Sequence, residues 1–499
     1  MLWLIILVIS IFAWYVRPLM PIDETRYLAV AYEMFSSGDY LVPRLNGELY
    51  SHKPPLLFWM MNLGWEVFGL NNWWPRILGV IALFLNAHYL RKLSQLIFPE
   101  DIARAKNAQR IYLTMFFPLL FSSLVFFDLW LSFFVLLSHI AIFSYIRHQH
   151  FLQSALLLGL GIGLGILTKG PVVLLFIITP LLFRKKYSQI SLLKLGFIGG
   201  AIGLFIALCW VIPAAISGGA EYSNAILWEQ TAGRIASNEG GTVSGAEAHA
   251  RPIWFFIVLL PLLTLPWSLK RSVYTKSHHP FLMAALLPVV LVFSIMSGKQ
   301  PHYLLPLFPL LALMISDKTT GLNLKQSVKP AVACLCAFAT GLLVYSNYGN
   351  LQDSFLSTAS LENAAIFLLI ATLIGLLIYY TRKNISYLWL AVSPLLVISI
   401  HLALGKSFKQ QYDMQPLALQ AREWQDAGFE VAYQGSYHGQ LNFIGRLQRP
   451  IHEIADDKQF ADFQQHYPDG KLIKILRPDE VSGDFPVLPH ATRVAELHE

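Results

Sequence analysis

The chain has 499 residues, of which 55% are hydrophobic and only 13% charged, with a mean hydropathy of +0.51. A soluble globular domain carries roughly a quarter charged residues, so this composition excludes water as the main solvent and points to a bilayer. The formal charge of +7 sits in short Lys and Arg clusters between apolar runs, which sets topology and argues against a nucleic-acid surface.

The N-terminus, MLWLIILVISIFAWYV, lacks a positive n-region and a small-residue cleavage site, and reads as a retained first helix. A spanning helix needs about 20 mostly apolar residues. Apolar runs fall near 1–19, 74–95, 111–127, 129–146, 152–168, 171–183, 192–213, 252–269, 280–297, 302–316, 329–345, 363–381 and 386–404, which gives about thirteen spans. Segment 54–69 is apolar but interrupted by Pro54, Pro55, Asn62 and Glu66; an interfacial amphipathic helix fits it better. The pair 152–183 turns on Lys169-Gly170-Pro171, as a shallow hairpin or a broken helix. Cys209, Cys334 and Cys336 lie inside apolar runs, without disulfide or zinc-knuckle spacing.

With the N-terminus in the cytoplasm, the internal loops carry Arg91-Lys92, Arg104/Lys106/Arg110, Arg147, Arg184-Lys185-Lys186, Lys270-Arg271 and Arg382-Lys383, as the positive-inside rule requires. The loops 20–73 and 214–251 then face outside. So does the stretch 405–499, where the composition turns polar and mixed. Its pattern predicts a helix near 416–427, a strand near 430–433, a helix near 458–467 and a strand near 471–476. The expected architecture is an all-α polytopic membrane domain over 1–404, with interfacial helices in the first outer loop, and a small periplasmic α/β domain over 405–499.

The unusual polar residues gather at the outer ends of the spans. They are Asp23-Glu24-Thr25-Arg26, His52-Lys53, Asp128, Lys169, His249, Arg251 and Lys299 through Tyr303. Ionisable groups near a bilayer are costly and tend to mark function. Asp23, Arg26 and Tyr27 share a helix face at i, i+3 and i+4. Asp23, with Glu24 beside it, either caps a helix or serves as a catalytic carboxylate; Asp128 has the same two readings. Lys53, Lys169 and Lys299 each precede a Pro, Gly-Pro or Gln-Pro. With Arg26 and Arg251 they would make a basic pocket for a phosphate head group. His52 and His249 are candidate zinc ligands or ordinary interfacial histidines. No G-x-G-x-x-G or P-loop pattern stands at a strand–helix junction, so no nucleotide cofactor is expected. The GLGIGLG run reads as close helix packing.

The segment DETRYLAVAYEMFSSGDYLVPRLNGELYSHKPPLLFWM, followed in order by FFDLWLSFF, LTKGPV, HARPIWFFIVLLPLLTLPW and SGKQPHYLLPLFPLLAL, resembles the bacterial lipid A aminoarabinose transferases. These stand beside the protein O-mannosyltransferases in the C-type glycosyltransferase superfamily. The resemblance implies an inverting transferase of the bacterial inner membrane, using an undecaprenyl-phosphate-linked sugar and a lipid A acceptor at the periplasmic face. It places Asp23 on the key acidic position and Asp128 on the second. It also places Arg26, Tyr50, Lys53 and Tyr303 around the lipid phosphate. The family's metal pair is a Glu before the Lys-Pro-Pro and a His before the Arg-Pro; here they fall on His52 and His249, so a zinc or other divalent site carries a changed ligand. A protein O-mannosyltransferase, or a transferase modifying another glycan or core sugar, is the rival within enzymes. A polyprenyl-lipid flippase is the rival outside them, although it should show polar groups at both faces or at midplane.

Overall fold

In lipid a backbone can bond only to itself, so apolar runs close into helices. The computed structural model describes residues 2–226, 251–269, 279–296, 298–316, 329–348, 357–382, 386–476, 487–490 and 493–498. In chain order, α1 (Leu2–Val16) is followed by a long loop that holds α2 (Asp23–Ser37), a hairpin of β1 (Arg44–Leu45) and β2 (Glu48–Leu49), and α3 (Leu56–Phe68). Then come α4 (Trp73–Ile97), α5 (Ile102–Leu113), α6 (Phe116–Phe121), α7 (Asp128–His148), α8 (Phe151–Lys169), α9 (Val173–Leu182) and α10 (Leu193–Asn224). The membrane part continues through α11 (Phe255–Leu263), α12 (Pro280–Ile295), a 3-10 turn Pro301–Leu307, α13 (Phe308–Ile315), α14 (Lys329–Tyr348), α15 (Thr358–Arg382) and α16 (Ser386–Tyr412).

Six helical stretches among the described residues are long and apolar enough to cross a membrane, so the count of about thirteen single spans is not reproduced. The expected span 111–127 is one departure. Thr114 turns its hydroxyl back to the Arg110 carbonyl at 2.7 Å, and the Phe116 amide leaves the helix to bond Leu265 O at 2.9 Å. The run therefore splits into α5 and the six-residue α6. The expected span 252–269 shrinks to nine residues in α11, with Pro261 inside it and Pro266 ending the run. The segment 152–183 proves to be a broken helix. Gly170, at φ 75° and ψ −164°, makes the break between α8 and α9. Segment 54–69 forms α3, which leaves Leu63, Val67 and Phe68 exposed.

The GLGIGLG run does bring two helices together. A Cβ on Gly159 would come 2.4 Å from Ile202, and one on Gly163 would come 2.6 Å from Ile206. Small residues here let α8 and α10 approach backbone to backbone.

The tail forms a five-stranded mixed sheet in the order β4-β3-β5-β7-β6. Its elements are α17 (Gln415–Asp426), β3 (Val431–Gln434), α18 (Asn442–Gly445), β4 (His452–Ile454), α19 (Asp457–His466), β5 (Lys471–Leu476), β6 (Val487–His490) and β7 (Arg493–His498). Strands β4, β3 and β5 run parallel, and β7 is antiparallel to both β5 and β6. The four tail elements predicted from sequence lie within one or two residues of α17, β3, α19 and β5. The sheet docks on the first loop: Phe443 stacks on Trp65 at 5.2 Å, and Asn46 exchanges two 2.8 Å hydrogen bonds with the Ile451 backbone.

Candidate active site

Asp23 is the first residue of α2, where a carboxylate meets the positive end of the helix dipole. Its Oδ1 accepts hydrogen bonds from Arg26 at 2.7 Å and from the Tyr27 hydroxyl at 3.3 Å. The Asp23 side chain is 43% exposed and that of Arg26 20%, so the carboxylate is reachable while its partner is largely enclosed. Burial first, and the Asp23 carboxylate second, push the Tyr27 phenol well above its usual range. Tyr27 therefore remains a proton donor toward Asp23.

Glu24 lies about 100° further round the helix and faces the other way. It is fully buried and accepts from Arg17 at 2.5 and 3.2 Å and from the Met20 and Val125 amides, both at 2.9 Å. Burial alone would raise its carboxyl. The charges of Arg17 and Arg76, with the hydrogen bonds from Arg17 and Met20, outweigh burial and hold it below its usual range. Arg17 also donates to Ser123 O at 2.6 Å, and Arg76 to Trp14 O at 3.1 Å. These contacts tie α1, α2 and the segment before α7 into one unit. Glu24, grouped with Asp23 from the sequence, is thereby engaged away from the Asp23 face.

Asp128 opens α7 with its side chain 2% exposed, and pairs at 2.5 Å with Lys169, the last residue of α8. The Lys169 ammonium also stands 5.0 Å from the centre of the Tyr303 ring. His302 packs on Tyr303, Phe126 and Phe121, and lies within electrostatic reach of Asp128, Lys169, Asp23 and Lys53. An aromatic wall links the two acids. Tyr27 meets Phe127 edge-on at 4.9 Å, Phe127 meets Phe58 at 5.6 Å, and Phe58 meets Tyr50 at 6.2 Å. Tyr50 and Tyr27 both lie in the field of Arg26. Asp23, Arg26, Tyr27, Tyr50, Lys53, Asp128, Lys169 and Tyr303 therefore converge on one end of the helix bundle.

The remaining candidates sit differently. Lys299 is buried, and its ammonium donates to the Arg251 carbonyl at 2.7 Å and to the Met296 carbonyl. It thus serves the chain end after α12, where carbonyls lack helical partners. The Arg251 side chain is exposed. His52 is exposed too, with its ring 5.2 Å from Tyr50. His249 lies outside the described residues. Among the described residues, no three His, Cys, Asp or Glu side chains gather to hold a metal.

Known proteins resemble this chain in sequence and in fold. A family model for dolichyl-phosphate-mannose-protein mannosyltransferases matches residues 52–213. Undecaprenyl phosphate-alpha-4-amino-4-deoxy-L-arabinose arabinosyl transferases are similar in sequence. That of Photorhabdus laumondii is 28% identical over 313 residues, covering 59% of this chain and 54% of the relative. That of Serratia proteamaculans is 27% identical over 418 residues, covering 78% and 72%. The match spans little more than half the length of the first of these relatives. Crystallised ArnT from Cupriavidus metallidurans, bound to undecaprenyl phosphate, superposes with a TM-score of 0.79 at 19% identity, over 99% of this chain and 96% of that one. The chain is similar to these transferases in sequence and shares the fold of that ArnT structure. Its apolar helices and bacterial relatives make it a multi-pass protein of the bacterial inner membrane.

In this chain the sequence reading missed Arg17 and Arg76, which hold Glu24, and the wall of Phe58, Phe126 and Phe127. Arg17 carried a signal: it is a lone base at the end of α1 where the charge pattern expects none. The wall carried none, because Phe residues are abundant throughout an apolar chain.

Proposed function

We propose that the chain is an inverting glycosyltransferase. It moves a sugar, 4-amino-4-deoxy-L-arabinose or a related one, from an undecaprenyl-phosphate carrier to lipid A at the periplasmic face of the inner membrane. In this reading the N-terminus is cytoplasmic and the tail domain periplasmic. The observation that carries the proposal is the pair of carboxylates, Asp23 and Asp128, each bonded to a cation at the same end of the bundle. The sequence relatives named as undecaprenyl phosphate-aminoarabinose arabinosyl transferases support the donor class.

The geometry suits the chemistry. In the transfer, the bond from the anomeric carbon to the carrier phosphate breaks and its electron pair stays on phosphate. Arg26 and Lys53 would neutralise that developing charge, and an enclosed guanidinium does so without reorganising. The acceptor oxygen forms the new bond from the opposite face of the sugar. For a hydroxyl acceptor, Asp23 takes the proton as general base. For a lipid A phosphate, which is already anionic, Asp23 orients the donor. The Asp128–Lys169 pair and Tyr303 form the adjoining wall that fixes the sugar.

The match to the mannosyltransferase family model over 52–213 favours, as a second reading, transfer to a protein hydroxyl. Mass spectrometry of lipid A from cells with and without the protein separates the two. The expected result is a sugar adduct that needs the protein and is lost in Asp23→Asn. An unchanged lipid A would refute the lipid A assignment and leave the protein acceptor.

A further inference from the structure

One loop of the tail domain packs close to the site. In an open α/β sheet, ligands bind beyond the carboxyl ends of the parallel strands, where the connections diverge to opposite sides. That point here lies between β3 and β5, since β3 is followed by β4 on one side and β5 by β6 on the other. The loop leaving β3, Gly435–Gln440, crosses this point and packs on α2: a Cβ on Gly439 would sit 3.1 Å from Ala29 and 2.4 Å from Leu45. Ala29 is one helical turn beyond Arg26, which brings His438, next to Gly439 in the chain, within reach of the Arg26 charge. The loop is held in shape. The His438 amide donates to Gln440 Oε1 at 2.6 Å, Gln440 donates to the Tyr433 hydroxyl at 3.0 Å, and Tyr437 donates to Asn442. The imidazole itself is half-buried. Burial first, and Arg26 second, keep it below the usual histidine range, so near neutral pH it offers one donor and one acceptor.

We infer that His438 is a specificity residue, which hydrogen-bonds a hydroxyl or amine of the sugar esterified to the carrier phosphate. The inference rests on the reading that Arg26 holds that phosphate. The carrier's polyprenyl chain lies in the bilayer, so what lies beyond the phosphate, toward the tail domain, is the sugar. The tail would then select the loaded carrier over the empty one.

The test compares two probes on the purified full-length protein by native mass spectrometry: undecaprenyl phosphate, and undecaprenyl phosphate carrying aminoarabinose. His438→Ala should weaken the loaded carrier about tenfold, the equivalent of one lost hydrogen bond, and leave the empty carrier within about twofold. His438→Gln, which keeps a donor and an acceptor, should restore most of the difference. Equal weakening of both probes, no weakening of the loaded one, or no preference for it in the wild type would overturn the inference. A wild type that binds neither probe would overturn the carrier reading itself, and the inference with it.

Discussion

Replacing Lys169 by Met would strand the Asp128 carboxylate. Its side chain is 2% exposed and its ion-pair partner lies at 2.5 Å, itself 15% exposed. Removing one member of a buried pair costs about 3–5 kcal/mol, because the remaining charge is left uncompensated. The partial exposure of Lys169 puts this site near the lower end, about 3 kcal/mol. Removing both charges, with Asp128→Asn added, should recover most of that loss and end within about 1 kcal/mol of wild type. Equilibrium unfolding in mixed detergent micelles reads the stability of the three variants. Sugar transfer, measured on the same preparations, should be lost in both single variants and should stay lost in the double one. A stable but inactive double variant would separate the pair's part in the reaction from its part in folding. A loss below about 1 kcal/mol for Lys169→Met, or a double variant as unstable as that single one, would refute the reasoning.

Asp23→Asn should cut transfer by about 10²–10⁴-fold, the usual contribution of a general base, with the melting temperature unchanged; undiminished transfer in a purified assay removes Asp23 from the reaction. Arg17→Met should cost about 3 kcal/mol, read in the same micelle titration, because Glu24 then loses its main counter-charge. Glu24 is held below its usual range, so its stabilising effect is present above the unfolded value of about 4.3 and fades as pH falls through the folded value. Thermal melts from pH 6 down to about 3 should show that loss in the wild type and a flatter curve in Glu24→Gln. Gly170→Ala meets no atom within 4 Å, so its cost is conformational alone, about 1–3 kcal/mol for a backbone that only glycine adopts readily. Zinc held by His52 and His249 predicts near-stoichiometric metal by elemental analysis and its loss in His52→Ala; metal-free wild type removes the pair from the site.

The clustering of several polar residues was legible in the sequence. Asp23, Arg26 and Tyr27 are local, and helical spacing alone puts them on one face. Asp128 and Lys169 are 41 residues apart, yet each marks a helix end that the hydropathy pattern already showed. Direction was harder to read. Adjacent residues diverge around a helix, so Asp23 and Glu24, equal in sequence, face different surroundings. Lys299 looked like a third pocket lysine because sequence does not show its side chain folding back on the Arg251 carbonyl. The break at Thr114–Phe116 was invisible for the same reason: it depends on the Leu265 carbonyl, about 150 residues downstream. The hairpin at 44–49 and the short β4 carry too few residues to show a period of two.

The docking of the tail on the first loop also sets an order of events. Asn46 is bound to Ile451 across 405 positions of the chain, and Trp65 waits for Phe443. Contacts so distant in sequence cannot form until the later partner has emerged from the ribosome and reached the same side of the membrane. The acidic loop is made before the tail segment that covers it. During synthesis the half-built chain would therefore hold an open cleft, and would mature only on the arrival of the tail domain.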